Sequence, residues 1–256
     1  MKNALKILAL LLPVLMFSQT TPKKDINEQI QTWVSINTVT KLSDHWGVVA
    51  DAHIRENELF DSNNFYFLRG GVAYFPNSSV TLVTGYAHMW LAPTKDGWST
   101  FADENRIYQQ AQLITKVGKV SILQRLRNEQ RWQEKIVNDE PTGKNRFTDR
   151  VRYLASFTIP VFSNKKLPSL VLSDEILIHF GKEVVYNTFD QNRLFIGIRQ
   201  NINSKLSYDF GYMNVYQQKY SGYQYDMNHT LRLFFYLNSA IKHSAPKAPE
   251  HHSGDE

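Results

Sequence analysis

Ser121–Gln133 reads SILQRLRNEQRWQ, a polar segment that alternates with the period of two of a β-strand. One face is charged and carries Leu123, Arg125, Arg127, Glu129 and Arg131. The other face mixes apolar and amide side chains and carries Ile122, Gln124, Leu126, Asn128, Gln130 and Trp132. A water-soluble sheet hides its apolar face and exposes its polar one. We interpret the three arginines instead as pointing inward, into the lumen of a closed barrel.

Later segments repeat this arrangement of inward charges, since arginines recur at alternate positions in two further strands. Adjacent antiparallel strands place such side chains opposite one another, within reach of ion pairs. We therefore predict a lumen charge network made of Glu104, Arg106, Arg125, Arg127, Glu129, Arg131, Arg150, Arg152, Glu175, Arg193 and Arg199. Arginine outnumbers acid in this set, which predicts an electropositive lumen.

Composition excludes several classes of protein. The 256 residues contain 29 Lys and Arg against 24 Asp and Glu, a net charge of +5 that is too mild to indicate nucleic-acid binding. The chain has no cysteine, which excludes disulfides, thiolate catalysis, cysteine-ligated metals and a lipid-modified N-terminal cysteine. We find no His-x-x-x-His, phosphate-binding loop or dinucleotide-binding signature, and predict neither a cofactor nor a metal site.

Residues 1–18 have the layout of a secretory signal peptide, with Lys2 and Lys6 before an apolar run from Leu8 to Phe17. Cleavage is expected between Ser18 and Gln19, and the alternative is an uncleaved N-terminal membrane anchor. Beyond Gln19 no apolar run has the length of a membrane-spanning helix.

About eleven segments of roughly ten residues show strand periodicity, the length with which a tilted strand crosses a bilayer. We predict a short extension at 19–27, one β-barrel domain at 28–238 and a disordered tail at 239–256. Because single-chain bacterial barrels usually have an even number of strands, the expected count is 10–12. The tail contains His251 and His252, for which a solvated segment is favoured over weak metal binding.

The faces assigned to the outside are apolar in the clearest strands. They contain Leu206, Tyr208, Phe210 and Tyr212 in one strand, and Leu231, Leu233, Phe235 and Leu237 in another. Short and long connections alternate between the strands, as in outer-membrane barrels. The pattern predicts an all-β, closed antiparallel transmembrane β-barrel. Gln124 does not fit this assignment, since it lies on the face assigned to lipid.

Several short features occur in a particular order along the chain. They are the signal ending in Phe-Ser-Gln, Trp33, the turn Lys41–Trp46, the arginine-rich middle strands, the segment Phe189–Arg193 and the closing segment His229–Asn238. In this order the chain resembles the bacterial domain-of-unknown-function family 2490, regarded as outer-membrane β-barrels. The resemblance covers about Gln29 to Asn238. It implies the barrel and the location, and it brings no reaction, ligand or catalytic residue.

Two roles are open for the inward charges. In the first, arginine–carboxylate pairs fill and stiffen a narrow lumen, which is favoured because ten to twelve strands enclose little free space. In the second, an arginine ladder lines a small pore that selects anions.

Two other functions remain as alternatives. A membrane-embedded hydrolase would need a nucleophile beside one of the strand histidines, His53, His88 or His179, but no motif such as Gly-x-Ser-x-Gly is present. A soluble secreted β-barrel binding a small ligand would need polar outward faces, against the pattern described above. We expect the protein in the outer membrane, in contact with lipid and the barrel assembly machinery, without nucleic acid and with a small anionic solute as the candidate lumen ligand.

Overall fold

The computed structural model describes residues 24–93, 95–164 and 166–241. Eleven strands form the described chain: β1 Asp25–Lys41, β2 Trp46–Asn57, β3 Ser62–Tyr74, β4 Val80–Leu91, β5 Ala102–Val117, β6 Val120–Val137, β7 Glu140–Ile159, β8 Ser169–Phe180, β9 Phe189–Asn201, β10 Leu206–Gln218 and β11 Gln224–Ala240. The signal peptide predicted at 1–18 and the tail histidines lie outside the described residues. β1 begins inside the extension predicted at 19–27, and β11 ends two residues beyond 238.

The sheet closes on itself, with each strand antiparallel to the next and β1 joined to β11. The closing pair is parallel, in a register from Asp25 beside Gln224 to Lys41 beside Ala240. An odd number of strands that alternate in direction requires one such pair, because the first and last strands then run the same way. The all-β closed barrel is confirmed. The count falls within the predicted range, although the preference for an even number is not met.

The two ends of the barrel differ in their connections. We call the end where β1 begins the upper end, and the end where β11 finishes the lower end. Residues 135–145 are mostly strand, since β6 and β7 continue to a two-residue turn of Asn138 and Asp139 at the upper end. Both turn residues have positive φ, as a tight hairpin requires. The connection at 160–168, at the lower end, is longer than this turn, so short and long connections alternate less regularly than predicted.

Side chains alternate between a buried inside and a more exposed outside along most of each strand. Outward apolar residues are widely exposed, among them Leu194 at 53%, Ile196 at 52% and Leu126 at 52%. Gln124 does point outward, where it is partly buried and its Oε1 accepts a hydrogen bond of 2.9 Å from the Tyr153 hydroxyl. A neighbouring strand therefore supplies the polar partner that this position needs.

Apolar side chains and glycines occupy part of the interior. One buried cluster contains Trp33, Val171, Phe195, Met213, Val215, Phe234 and Tyr236, and a second contains Val39, Val49, Ala73, Phe75, Val83 and Tyr108. Gly71 and Gly85 are register partners that leave room for the Tyr108 ring, because a Cβ on either glycine would lie within 2.8 Å of a Tyr108 side-chain atom. The charged side chains share the remaining interior.

In the described part of the chain, no helix is long and apolar enough to span a membrane.

Candidate functional site

The predicted lumen residues lie on the inward faces of β5 to β9, where cross-strand register places them side by side. Arg127 is opposite Gln110 on β5 and Arg152 on β7, while Glu129 is opposite Arg150. Glu175 on β8 is opposite Arg193 on β9. Their order along one face of each strand follows from the period of two, and the register brings them into contact.

Glu129 is the first centre of this lumen charge network. It accepts hydrogen bonds from Arg150 Nε at 2.7 Å and from Arg152 Nη1 at 2.9 Å. Arg127 Nη1 lies 3.5 Å and Arg106 Nη1 3.7 Å from its carboxylate. The negative charge of one buried carboxylate is thus shared by four guanidinium groups.

Glu175 is the second centre. It accepts two hydrogen bonds of 3.0 Å from Arg152 and one of 2.6 Å from Arg125 Nη2. Arg193 Nη1 is 3.5 Å away. Because Arg152 contacts both Glu129 and Glu175, the two centres form one continuous network.

Glu104 extends the network toward the upper end. It accepts a hydrogen bond of 2.6 Å from Arg106 Nε and hydrogen bonds of 2.8 and 3.1 Å from Arg131. The Arg131 side chain is 13% exposed, whereas Glu104 is 1% exposed. At the upper end the network therefore includes a partly exposed side chain, that of Arg131.

Arg199 belongs to a cluster around Asp209 near the lower end. Its Nε and Nη2 each donate a 2.7 Å hydrogen bond to Asp209 on β10. Tyr236 donates to the same carboxylate at 3.2 Å, and Arg232 Nη2 lies 3.6 Å from it. Ten of the eleven predicted residues therefore meet around Glu104, Glu129 and Glu175, and Arg199 meets Asp209.

Other inward charges were absent from the predicted set. Arg69 forms a buried ion pair with Asp51 through Nε at 2.6 Å. Asp190 accepts from Arg150 Nη1 at 3.2 Å. Strict alternation would place Asp190 outward, because the next residue, Gln191, points inward. Both residues are buried, and the pairing of β9 with β8 shifts its register at this point, between Leu177 and Ile178. No pattern within β9 alone could have indicated this.

Aromatic rings contact two further inward arginines. Arg55 lies 3.3 Å from the Trp33 ring centroid and 4.3 Å from that of Phe65. Arg232 lies 4.1 Å from Phe195 and 4.2 Å from Phe234. The cation–π attraction is strongest where the cation is shielded from water.

The balance of buried charge is positive. Among the described residues, ten arginines and six carboxylates are buried. The excess positive charge is stabilised by carboxylates that each contact several arginines and by aromatic rings. Amide oxygens contribute as well, since Arg127 donates to Gln110 at 2.6 Å and Arg193 donates to Gln191 at 2.6 Å. An electropositive interior was predicted, and in the structure its arginines contact acceptors and rings within the wall.

Loops and the β6–β7 hairpin meet over the upper end. Tyr220, between β10 and β11, donates to Gln133 and lies under Arg146, whose guanidinium carbon is 3.6 Å from its ring centroid. Lys135 donates to Glu183 at 2.9 Å and holds the pKa of this exposed carboxyl below its ordinary value. The contacts of Tyr220 join the β10–β11 loop to β6 and β7 on the other side of the barrel, and the Lys135 pair joins β6 to the β8–β9 loop.

The three strand histidines are dispersed. His53 points inward, with ring centroids 5.0 Å from Phe67 and 5.6 Å from Phe234. His88 is on the outer surface, with Nδ1 2.9 Å from Asn105 Oδ1, and His179 is inward, 3.8 Å from Asp190. In residues 24–93, 95–164 and 166–241, no serine hydrogen-bonds His88 or His179, and no group of three acidic or histidine side chains could hold a metal ion.

The model of a family described as Protein of unknown function (DUF2490) matches residues 30–245. The chain belongs to the DUF2490 family. A comparison with the curated proteins found no match. The DUF2490 match begins at Ile30 within β1 and continues past the end of β11, so the whole lumen charge network lies inside the family domain. The description of the DUF2490 family gives no reaction or ligand.

Proposed function

We propose that this DUF2490 protein is an outer-membrane β-barrel whose lumen is closed by buried arginine–carboxylate pairs, and that it acts as a closed structural barrel. The observation that carries the proposal is the inversion of polarity across the wall. Arg152 is fully buried on the inside, while Leu194 and Ile196 are more than half exposed on the outside. Large apolar surfaces mark contact with lipid or another protein, and a closed barrel is one of two backbone arrangements that can cross a bilayer.

The outward face supports lipid as the surrounding medium. Exposed apolar residues occur on strands around the circumference, including Ile36 on β1, Leu68 on β3, Ile107 on β5, Ile176 on β8 and Phe210 on β10. A soluble ligand-binding barrel would place polar side chains there. Under this proposal the protein contacts outer-membrane lipid and is inserted by the barrel assembly machinery.

The burial of the inward charges favours a closed lumen rather than an open pore. A water-filled pore leaves its lining charges hydrated, but Arg125, Arg127 and Glu129 are each 1% exposed. These side chains contact partners on neighbouring strands and leave little surface for water. Under this proposal a small anionic solute would act only as a counter-ion to the excess of buried arginines. Ions do not pass through the lumen.

Flotation and conductance test the proposal together. The protein is expected to float with outer-membrane vesicles in a density gradient and to give no steady current after reconstitution into planar bilayers. Recovery in the soluble periplasmic fraction would contradict the membrane location. A steady anion-selective current that decreases in the Arg125→Ala and Arg127→Ala variants would favour the arginine-lined pore instead.

A further inference from the structure

The outward face of β5 and β6 carries three carboxamides at mid-strand, Gln109, Asn128 and Gln130, which we call the amide patch. Gln109 Nε2 donates to Gln130 Oε1 at 3.2 Å, and Gln130 Nε2 donates to Gln109 Oε1 at 3.3 Å. Asn128 Nδ2 lies 3.5 Å from the same Gln109 oxygen. These are cross-strand contacts, since Gln109 and Asn128 are register partners.

The patch lies among apolar neighbours at the level where lipid chains would surround the barrel. Gln109 is near the middle of the 16-residue β5, and Asn128 is near the middle of the 18-residue β6. The next outward residue on each of the two strands is apolar, with Ile107 on β5 46% and Leu126 on β6 52% exposed, while Asp149 on β7 lies beside Gln130. The amide patch is therefore a small polar region on a mostly apolar surface.

Polar side chains of this kind are unfavourable in contact with the hydrocarbon chains of lipid. Each carboxamide has two N–H donors and an oxygen with two acceptor positions, more than three internal hydrogen bonds use. Leaving polar groups without partners in an apolar medium costs free energy. On β2, three strands from β5 around the barrel, the corresponding outward stretch is Val48, Ala50, Ala52 and Ile54, without any amide.

We propose that the amide patch is the contact surface for a second copy of this chain in the plane of the membrane, an inference that rests on the proposed membrane location. A carboxamide both donates and accepts, so each one can pair with its counterpart across a two-fold axis. Lipid chains offer neither donors nor acceptors. Asp149 on β7, the register partner of Gln130, adds a carboxylate that can accept from the amides of the other copy.

Cysteine cross-linking tests this surface cleanly because the chain has no cysteine of its own. Leu126→Cys places a thiol beside the amide patch and leaves the three amides intact. Ile36→Cys, at a 46% exposed outward position on β1, is the matched control on the far side of the barrel. Outer membranes containing each variant are treated with a short bis-maleimide, and the products are separated by mass.

The expected product is a species of twice the chain mass from Leu126→Cys and none from Ile36→Cys. Adding Gln109→Leu, Asn128→Leu and Gln130→Leu to Leu126→Cys should lower the cross-linked fraction about tenfold. Flotation of the same membranes reports separately on the location. A chain that floats and gives no such product, that cross-links to a different protein, or that cross-links equally without the amides would overturn the interface alone. A chain that does not float would overturn the proposed location and, with it, this interface.

Discussion

Arg152 binds Glu175 with two hydrogen bonds of 3.0 Å, and the two side chains are 0% and 1% exposed. The same guanidinium reaches Glu129 through Nη1 at 2.9 Å. Two carboxylates on different strands are thereby held by one arginine on the strand between them. This arrangement links β6, β7 and β8 through the lumen as well as through their backbone hydrogen bonds.

Glu175→Gln should strongly destabilise the barrel, because it leaves Arg125, Arg152 and Arg193 with less compensation in a buried environment. Removing one partner of a buried pair costs about 3–5 kcal/mol. Urea titration of the protein in lipid vesicles, followed by the change in tryptophan fluorescence, measures the free energy of unfolding.

Glu140→Gln is the matched control for that experiment. Glu140 makes the same change of side chain at an exposed position, the first residue of β7 beside the hairpin turn at the upper end. Its replacement should change the free energy of unfolding by less than about 0.5 kcal/mol. Equal effects of the two substitutions would contradict a role of the lumen charge network in stability.

Gly85→Ala should destabilise the barrel by about 1–3 kcal/mol through overpacking. A Cβ at this position would collide with the Gly70 carbonyl oxygen, and would lie 2.7 Å from Gly71 Cα and 2.8 Å from the Tyr108 ring. Gly70→Ala is the control, because its Cβ would meet no atom closer than the Val49 oxygen at 3.9 Å. Comparing the unfolding midpoints of the two variants in urea measures the difference. Tolerance of both would show that Tyr108 does not need the space at Gly85.

The tip of the β6–β7 hairpin should loosen as Asp139 loses its charge. The backbone N–H groups of Thr100 and Ser99 donate to its carboxylate at 2.8 and 3.0 Å and hold its pKa below the ordinary value of 3.8. Because the folded state lowers this pKa, the contact is complete above pH 3.8 and is lost as the pH falls through the lower, folded value. Asp139→Asn keeps a side chain that tolerates positive φ but removes the charge.

Hydrogen–deuterium exchange of the peptide containing Ser99 and Thr100 checks this contact. At pH 6 exchange should be faster in Asp139→Asn than in the unmodified protein, and the difference should disappear in acid below the folded pKa of Asp139. Identical exchange of the two proteins at pH 6 would show that the carboxylate does not hold the loop.

The period of two in the sequence was enough to identify the inward faces of the middle strands, including Arg127 and Arg152 and both centres, Glu129 and Glu175. Cross-strand partners were beyond it, because register depends on all the strands together. Asp190 points inward beside a register shift, and the pairing of Asp51 with Arg69 joins two strands whose arginines are sparse. The parallel closure of β1 on β11 involves residues about 200 positions apart, which local pattern does not reveal.

Single cysteines on the two faces of the wall test the closed membrane barrel most directly. Ile196→Cys places a thiol on the apolar outside, and Ser173→Cys places one on the inside at an 8% exposed position, with little change in side-chain size. Phe60→Cys, 70% exposed in the β2–β3 connection, is the accessible control. Outer membranes are treated with a water-soluble maleimide that does not enter lipid. We predict modification at position 60 and none at 173 or 196; modification at 173 would show a water-filled lumen, and modification at 196 would show an outer surface in contact with water.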